Sequence, residues 1–107
     1  MKVYNVKDFT RGWFIGNFDP SILKTDQFEV GYLCHKKGEV WPKHYHALAI
    51  EYSLLIKGKM VIRGTEINEG DIFALEPYEV ADPEFLEDCY VLVVKFPSVI
   101  GDKYEVV

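Results

Sequence analysis

Residues that break or turn the backbone recur so closely along this chain that an ordinary helix has no room to form. Alternating β-branched and aromatic runs are cut at short intervals by Gly, Pro, Asn and Asp, the pattern of an all-β protein with many short strands. The strand candidates are Gln27 to Lys36, Lys43 to His46, Glu51 to Lys57, Lys59 to Arg63, Asp71 to Leu75 and Cys89 to Phe96. Turns are signalled at Arg63-Gly64-Thr65 and Asn68-Glu69-Gly70, with a tight hairpin or bulge at Lys57-Gly58-Lys59. No run longer than about ten residues keeps a helical period. Helix is therefore expected only as a turn or two near Val6 to Arg11 or Ser21 to Thr25. A chain of this kind settles its exposed strand edges by closing into a barrel or stacking two sheets as a jelly roll.

The 107 residues give room for one domain, 1–107. Apolar residues make up 49% of them and aromatics 15%, enough to fill a core without disulfide staples. Cys34 and Cys89 lie in separate strand-like runs and are expected as buried thiols. The formal net charge of -5 repels polyanions and argues against a nucleic-acid partner. No apolar segment suits a membrane span or a secretory signal, so a cytoplasmic protein is expected.

Chemistry concentrates in one stretch. Residues two apart on a strand point to the same face, so His44 and His46 can aim both imidazoles at one point inside a barrel. A return strand starting near Glu51 can bring a carboxylate beside them. Two nitrogens and one oxygen suit iron, manganese, nickel or zinc and leave positions open for water or substrate. Glu29 shares a strand face with Gly31 and Leu33, and Lys95 shares one with Val91 and Val93. Charges set among inward apolar residues are costly unless paired, which makes both candidates for proton transfer or anion binding in a pocket.

The order Gly38, five residues, His44, one residue, His46, four residues, Glu51, six residues, Gly58 resembles the first motif of the cupin superfamily at every specified position. A chance match in this length is roughly a one-in-ten-thousand event. The second cupin motif is present in a departed form. Gly70 opens it, but six residues rather than five precede Pro77, Glu79 stands at the second Gly, Asp82 at the His and Leu86 at the Asn. The resemblance runs from about Glu29 to Phe96. A shorter block of Gly12, Trp13, Phe14, Gly16, Phe18 and Ser21 is similar to the lead-in of small single-domain cupins.

The resemblance implies a cupin-type jelly-roll β-barrel, a double-stranded β-helix, with one divalent metal ion at its mouth and often a homodimer. It places Asp82 at the position of the fourth ligand, whereas an Asp before Pro83 reads from the residues alone as a turn former. Two functions stay open. One is a metal-dependent enzyme, of oxygenase or isomerase/epimerase type, acting on a small polar metabolite. The other is a non-catalytic cupin binding a sugar or an acid. His35 falls just before a turn and is expected on the surface, and Trp13, Phe14, Phe18 and Trp41 as core or dimer packing. The tail from Gly101 to Val107 is expected as a solvated end or an edge strand for a partner subunit.

Overall fold

The structure is a computed structural model and describes residues 1–106. Val107, the last residue of the expected domain and tail, lies outside the described residues. Two short 3-10 turns, Val6–Asp8 and Thr10–Gly12, precede eleven strands. These are β1 (Trp13–Gly16), β2 (Leu23–Lys24), β3 (Glu29–His35), β4 (His44–Tyr45), β5 (Ile50–Lys57), β6 (Met60–Ile62), β7 (Thr65–Ile67), β8 (Ile72–Leu75), β9 (Glu84–Phe85), β10 (Cys89–Phe96) and β11 (Tyr104–Glu105). Among the described residues no helix is long and apolar enough to cross a membrane. Ser21 to Thr25, one of the two helix candidates, instead contains β2, which pairs in parallel with β1.

One six-stranded sheet in the order β2-β1-β3-β10-β5-β8 forms one wall. Opposite it lie a three-stranded sheet, β7-β6-β9, and the pair β11-β4. Alternation on β10 and β5 sends Val91, Val93, Ser53 and Leu55 inward, and they are buried. Met60, Ile62, Ile67 and Phe85 meet them from the smaller sheet and complete the core. Burial of such side chains contributes about 1.5–3 kcal/mol each, so this inner face fixes the register of every long strand.

Gly58 shows how the sequence sets the geometry. Its φ of 108° lies in the left-handed region that side chains avoid, and a Cβ there would collide with the backbone of Asp88 and Cys89. A glycine is needed for β5 to turn toward β6 beneath β10. Cys89 is buried, but Cys34 is exposed because it falls on the outer face of β3; both thiols are free.

Candidate metal centre

His44 and His46 leave β4 on the side that faces a cavity of about 400 Å³. Their rings meet edge to face, with centroids 5.4 Å apart. Each ring is anchored through Nδ1: that of His44 lies 3.1 Å from the Pro42 carbonyl, and that of His46 bonds the Asp102 carbonyl. A carbonyl can only accept, so Nδ1 carries the proton and Nε2 is left with a lone pair. Burial, opposed by the Pro42 contact, holds His44 below the ordinary histidine value, with Lys103 and His46 adding to the lowering. The neutral, ligand-competent ring is thereby favoured.

Glu51 enters from the start of β5. Its Oε1 lies 3.9 Å from His46 Nε2 and 3.9 Å from Lys95 Nζ, and its Oε2 accepts from Ser53 Oγ at 3.2 Å. Two donors each about 2.1 Å from one ion stand at most about 4.2 Å apart, so the His46 to Glu51 separation lies just inside that limit. Among the described residues, no three histidine, cysteine or carboxylate side chains already stand at coordinating distances. The chemical test of fit is His46 Nε2 itself, which is sealed from solvent and has no hydrogen-bond partner. A buried lone pair without a donor is costly, and a cation facing it would supply what is missing.

The four-residue spacer between His46 and Glu51 is organised from the far end of the chain. One carboxylate, Asp102, accepts from the N–H groups of Ala47 (2.9 Å), Leu48 (3.2 Å) and Ala49 (2.9 Å). Burial pushes Asp102 up, but those three donors and His46 hold it below the ordinary carboxylate value. Over its described residues, 101–106, the tail is largely exposed but tied into its own chain. Asp102 is buried, and β11 pairs with β4 of its own chain, Tyr104 against Tyr45 and Glu105 against His44.

The expected pocket charges do line the cavity. Glu29, Lys95 and Glu51 stand side by side across β3, β10 and β5. Burial pushes the Glu29 carboxyl up; Lys95 opposes this, while Glu51 and Asp102 add to it. Asp82, by contrast, is not brought to the centre. Ala81, bridged to His44, turns its side chain into the cavity, so alternation sends Asp82 outward, where Oδ1 accepts the Arg63 N–H at 2.6 Å. Asp82 lies in no turn of its own; its carboxylate caps the turn at Arg63 and Gly64, and it is not placed beside His44, His46 and Glu51.

Other side chains on the wall were expected elsewhere. His35 is half-buried, not on the surface, and lines the cavity. It stacks on Phe85 at 4.3 Å between centroids, and its Nδ1 lies 2.6 Å from Glu39 Oε2, which also accepts from Trp41 Nε1 at 2.6 Å. Strand parity carried the signal for it, since Glu29, Gly31, Leu33 and His35 share one face of β3. Trp13, Phe18 and Trp41 line the cavity as well. Gly31 makes room for Trp13, whose ring occupies the space a Cβ would take.

No protein-family model matches the sequence, and no curated protein matches it. Solved structures do. An uncharacterized conserved protein with a double-stranded β-helix domain from Klebsiella pneumoniae is 18% identical, with a TM-score of 0.72 over 97% of this chain and 90% of its own. The bacterial pirin YhhW from Escherichia coli, in complex with nickel(II), is 23% identical with a TM-score of 0.67, over 82% of this chain and 39% of its own. A sugar phosphate isomerase from a cupin superfamily, from Silicibacter pomeroyi, is 22% identical with a TM-score of 0.54, over 65% and 50%. The strand order, the facing sheets and these likenesses agree: the chain has the cupin fold, a double-stranded β-helix.

Proposed function

We propose that this chain, as a single domain, holds one divalent metal ion through His44 Nε2, His46 Nε2 and the Glu51 carboxylate, and acts on a small molecule in the adjoining cavity. The observation that carries this reading is the sealed, unpartnered Nε2 of His46. The nickel in the pirin complex is consistent with it. Bound there, a divalent ion supplies Lewis acidity and open positions for a substrate oxygen. The chain's own part is to fix the tautomers of both histidines through the Pro42 and Asp102 carbonyls. Glu29, its carboxyl pushed up by burial, is the wall's candidate for taking up and releasing a proton, and Lys95 sets a donor beside Glu51. His35, oriented by Glu39, offers a third proton-handling group further along the wall. These groups favour an enzyme of isomerase/epimerase or oxygenase type over a passive binder. The sugar phosphate isomerase of the same fold fits the first of these. Elemental analysis of untagged protein, followed by isomerisation and oxygen-uptake screens, tests both halves. Absence of a divalent ion rejects the centre, and metal without turnover across the screens leaves a sugar- or acid-binding module.

A homodimer is part of the same proposal. The outer face of the large sheet presents Tyr52, Ile56, Ile72 and Phe96, each more than 40% exposed, beside half-buried Leu54 and Val94. Apolar patches of this kind on a flat sheet face mark contact surfaces, and a second copy matches one by twofold symmetry. A monomer in sedimentation at micromolar concentration rejects this assignment.

A further inference from the structure

Three cations stand at the cavity of a chain that is acidic as a whole, beside the acids Asp19, Glu29, Glu51 and Asp102. The protein carries a formal net charge of -5, yet Arg11, Lys95 and Lys103 all line the cavity. Two of the three are held in the same unusual way. Lys95 Nζ lies 4.9 Å from the centroid of the Trp13 ring, and Lys103 Nζ lies 4.6 Å from that of Trp41. An indole face attracts an ammonium group without cancelling its charge, so both lysines are positioned and still able to meet an anion. Lys95 also faces Glu51 at 3.9 Å, whereas Arg11 and Lys103 enter no ion pair among the described residues.

These cations are close enough to oppose one another. Burial and, beyond it, the charges of Lys95 and Arg11 depress Lys103 below the ordinary lysine value, against the opposing effects of Glu105 and Glu51. The backbone also holds Arg11 in place: its φ is 51°, in the left-handed region. Gly12 beside it packs so tightly on the Tyr32 carbonyl that no Cβ fits. Side chains adopt such a φ at a cost that the surroundings must hold. Of the acids on the same wall, Asp19 pairs with Lys24, the Asp102 carboxylate accepts from the N–H groups of residues 47–49, Glu51 stands 3.9 Å from both His46 and Lys95, and burial pushes the Glu29 carboxyl up.

We infer that the cavity receives a small anion, a carboxylate or a phosphate monoester, whose charged group is met by Arg11, Lys95 and Lys103 while its carbon skeleton lies against Trp13 and Trp41. This deepens the proposed function, resting on the cavity as the functional site, but it does not depend on the ion.

Trp13 and Trp41 are the two tryptophans of the chain, so indole emission reports on the cavity directly. The protein is titrated at low salt with hexanoate and glucose 6-phosphate, and with their neutral counterparts hexanamide and glucose, while metal content is measured on the same samples. At least one anion is expected to bind about tenfold or more tightly than its neutral counterpart, and which one does so separates carboxylate from phosphate. Arg11→Gln with Lys103→Gln, both at exposed positions, should weaken that anion about tenfold or more. Equal binding of anions and neutral compounds, or unchanged anion affinity in the double variant, overturns the inference even if the protein holds its ion. Preference for an anion in protein that holds no ion supports the inference and rejects the metal centre instead.

Discussion

Residues 38–58 and 70–86 both open on a glycine and both contribute to the same cavity, but they contribute different things. The first stretch supplies every donor of the proposed centre, His44, His46 and Glu51, and ends at a glycine pressed against the backbone of β10. The second supplies only apolar wall, through Leu75, Ala81, Pro83 and Phe85, and turns its one suitably spaced carboxylate, Asp82, toward Arg63. Support for the donors comes from a third place. Asp102, 56 residues beyond His46, anchors that ring and gathers the spacer that follows it. The proposed centre is thus one donor stretch plus a tail clasp, and the second stretch forms wall.

The largest effect expected from this division is on metal content. His44→Ala with His46→Ala should take the protein from about one divalent ion per chain to none, because a lone carboxylate binds such ions weakly. The fold should persist, since neither ring belongs to the apolar core. Full retention of metal, read by elemental analysis, would remove the centre from the first stretch. The tail clasp comes next. Asp102→Ala leaves three spacer N–H groups without their acceptor, at a cost of about 3 kcal/mol. It should also weaken metal binding by about tenfold or more through the loosened spacer. Asp102→Asn keeps the backbone carbonyl and one acceptor oxygen, and should recover part of both losses. Denaturant curves and metal titrations that match wild type for Asp102→Ala would show that the tail supports nothing.

The donor stretch was legible and the clasp was not, for a physical reason. His44, His46, Glu29 and Lys95 announce themselves by strand parity, a local rule with a period of two. His35 obeys the same rule within the strand candidate Gln27 to Lys36, but the turn signalled by Lys36, Lys37 and Gly38 just after it reads as a surface position; β3 keeps His35 on its inward face. Asp102 and Lys103 sit in a short polar tail that reads locally as solvent-exposed. Their placement comes from hydrogen bonds to residues 47–49 and from a cation over Trp41, contacts with no local signature. The strands missed among the turn-rich segments, such as Leu23–Lys24 and Glu84–Phe85, are two residues long, too short to show alternation. Asp82 is ambiguous between motif position and turn chemistry; the inward side chain of Ala81 decides against the cavity, and Asp82 caps the turn at Arg63 and Gly64 without forming one itself.

That decision makes a smaller prediction. Asp82→Ala should leave metal affinity within about twofold of wild type and lower stability by about 1 kcal/mol, through loss of the acceptor for the Arg63 N–H. Asp82→His should add no affinity for nickel, because the side chain at this position points away from the cavity. A tenfold change in affinity for either variant would return the second stretch to the centre.

The smallest effect concerns Glu39, one residue inside the donor stretch and at the opposite end of its work. The Trp41 N–H and, beyond it, His35 hold this carboxyl below the ordinary glutamate value, against the opposing effect of burial. A carboxylate depressed in the folded state contributes stability that is fully present above its unfolded value of 4.5 and is lost as pH falls through the lower folded value. Wild type should therefore exceed Glu39→Gln in melting temperature by a constant margin above about pH 5, and the two curves should converge as pH falls below 4.5 and on through the lower folded value. Because Glu39 is 35% exposed, solvent screening keeps the margin to about 0.5 kcal/mol. A margin that persists undiminished at acid pH would mean that Glu39 acts by packing rather than charge, and that His35 is oriented by Phe85 and Trp41 alone.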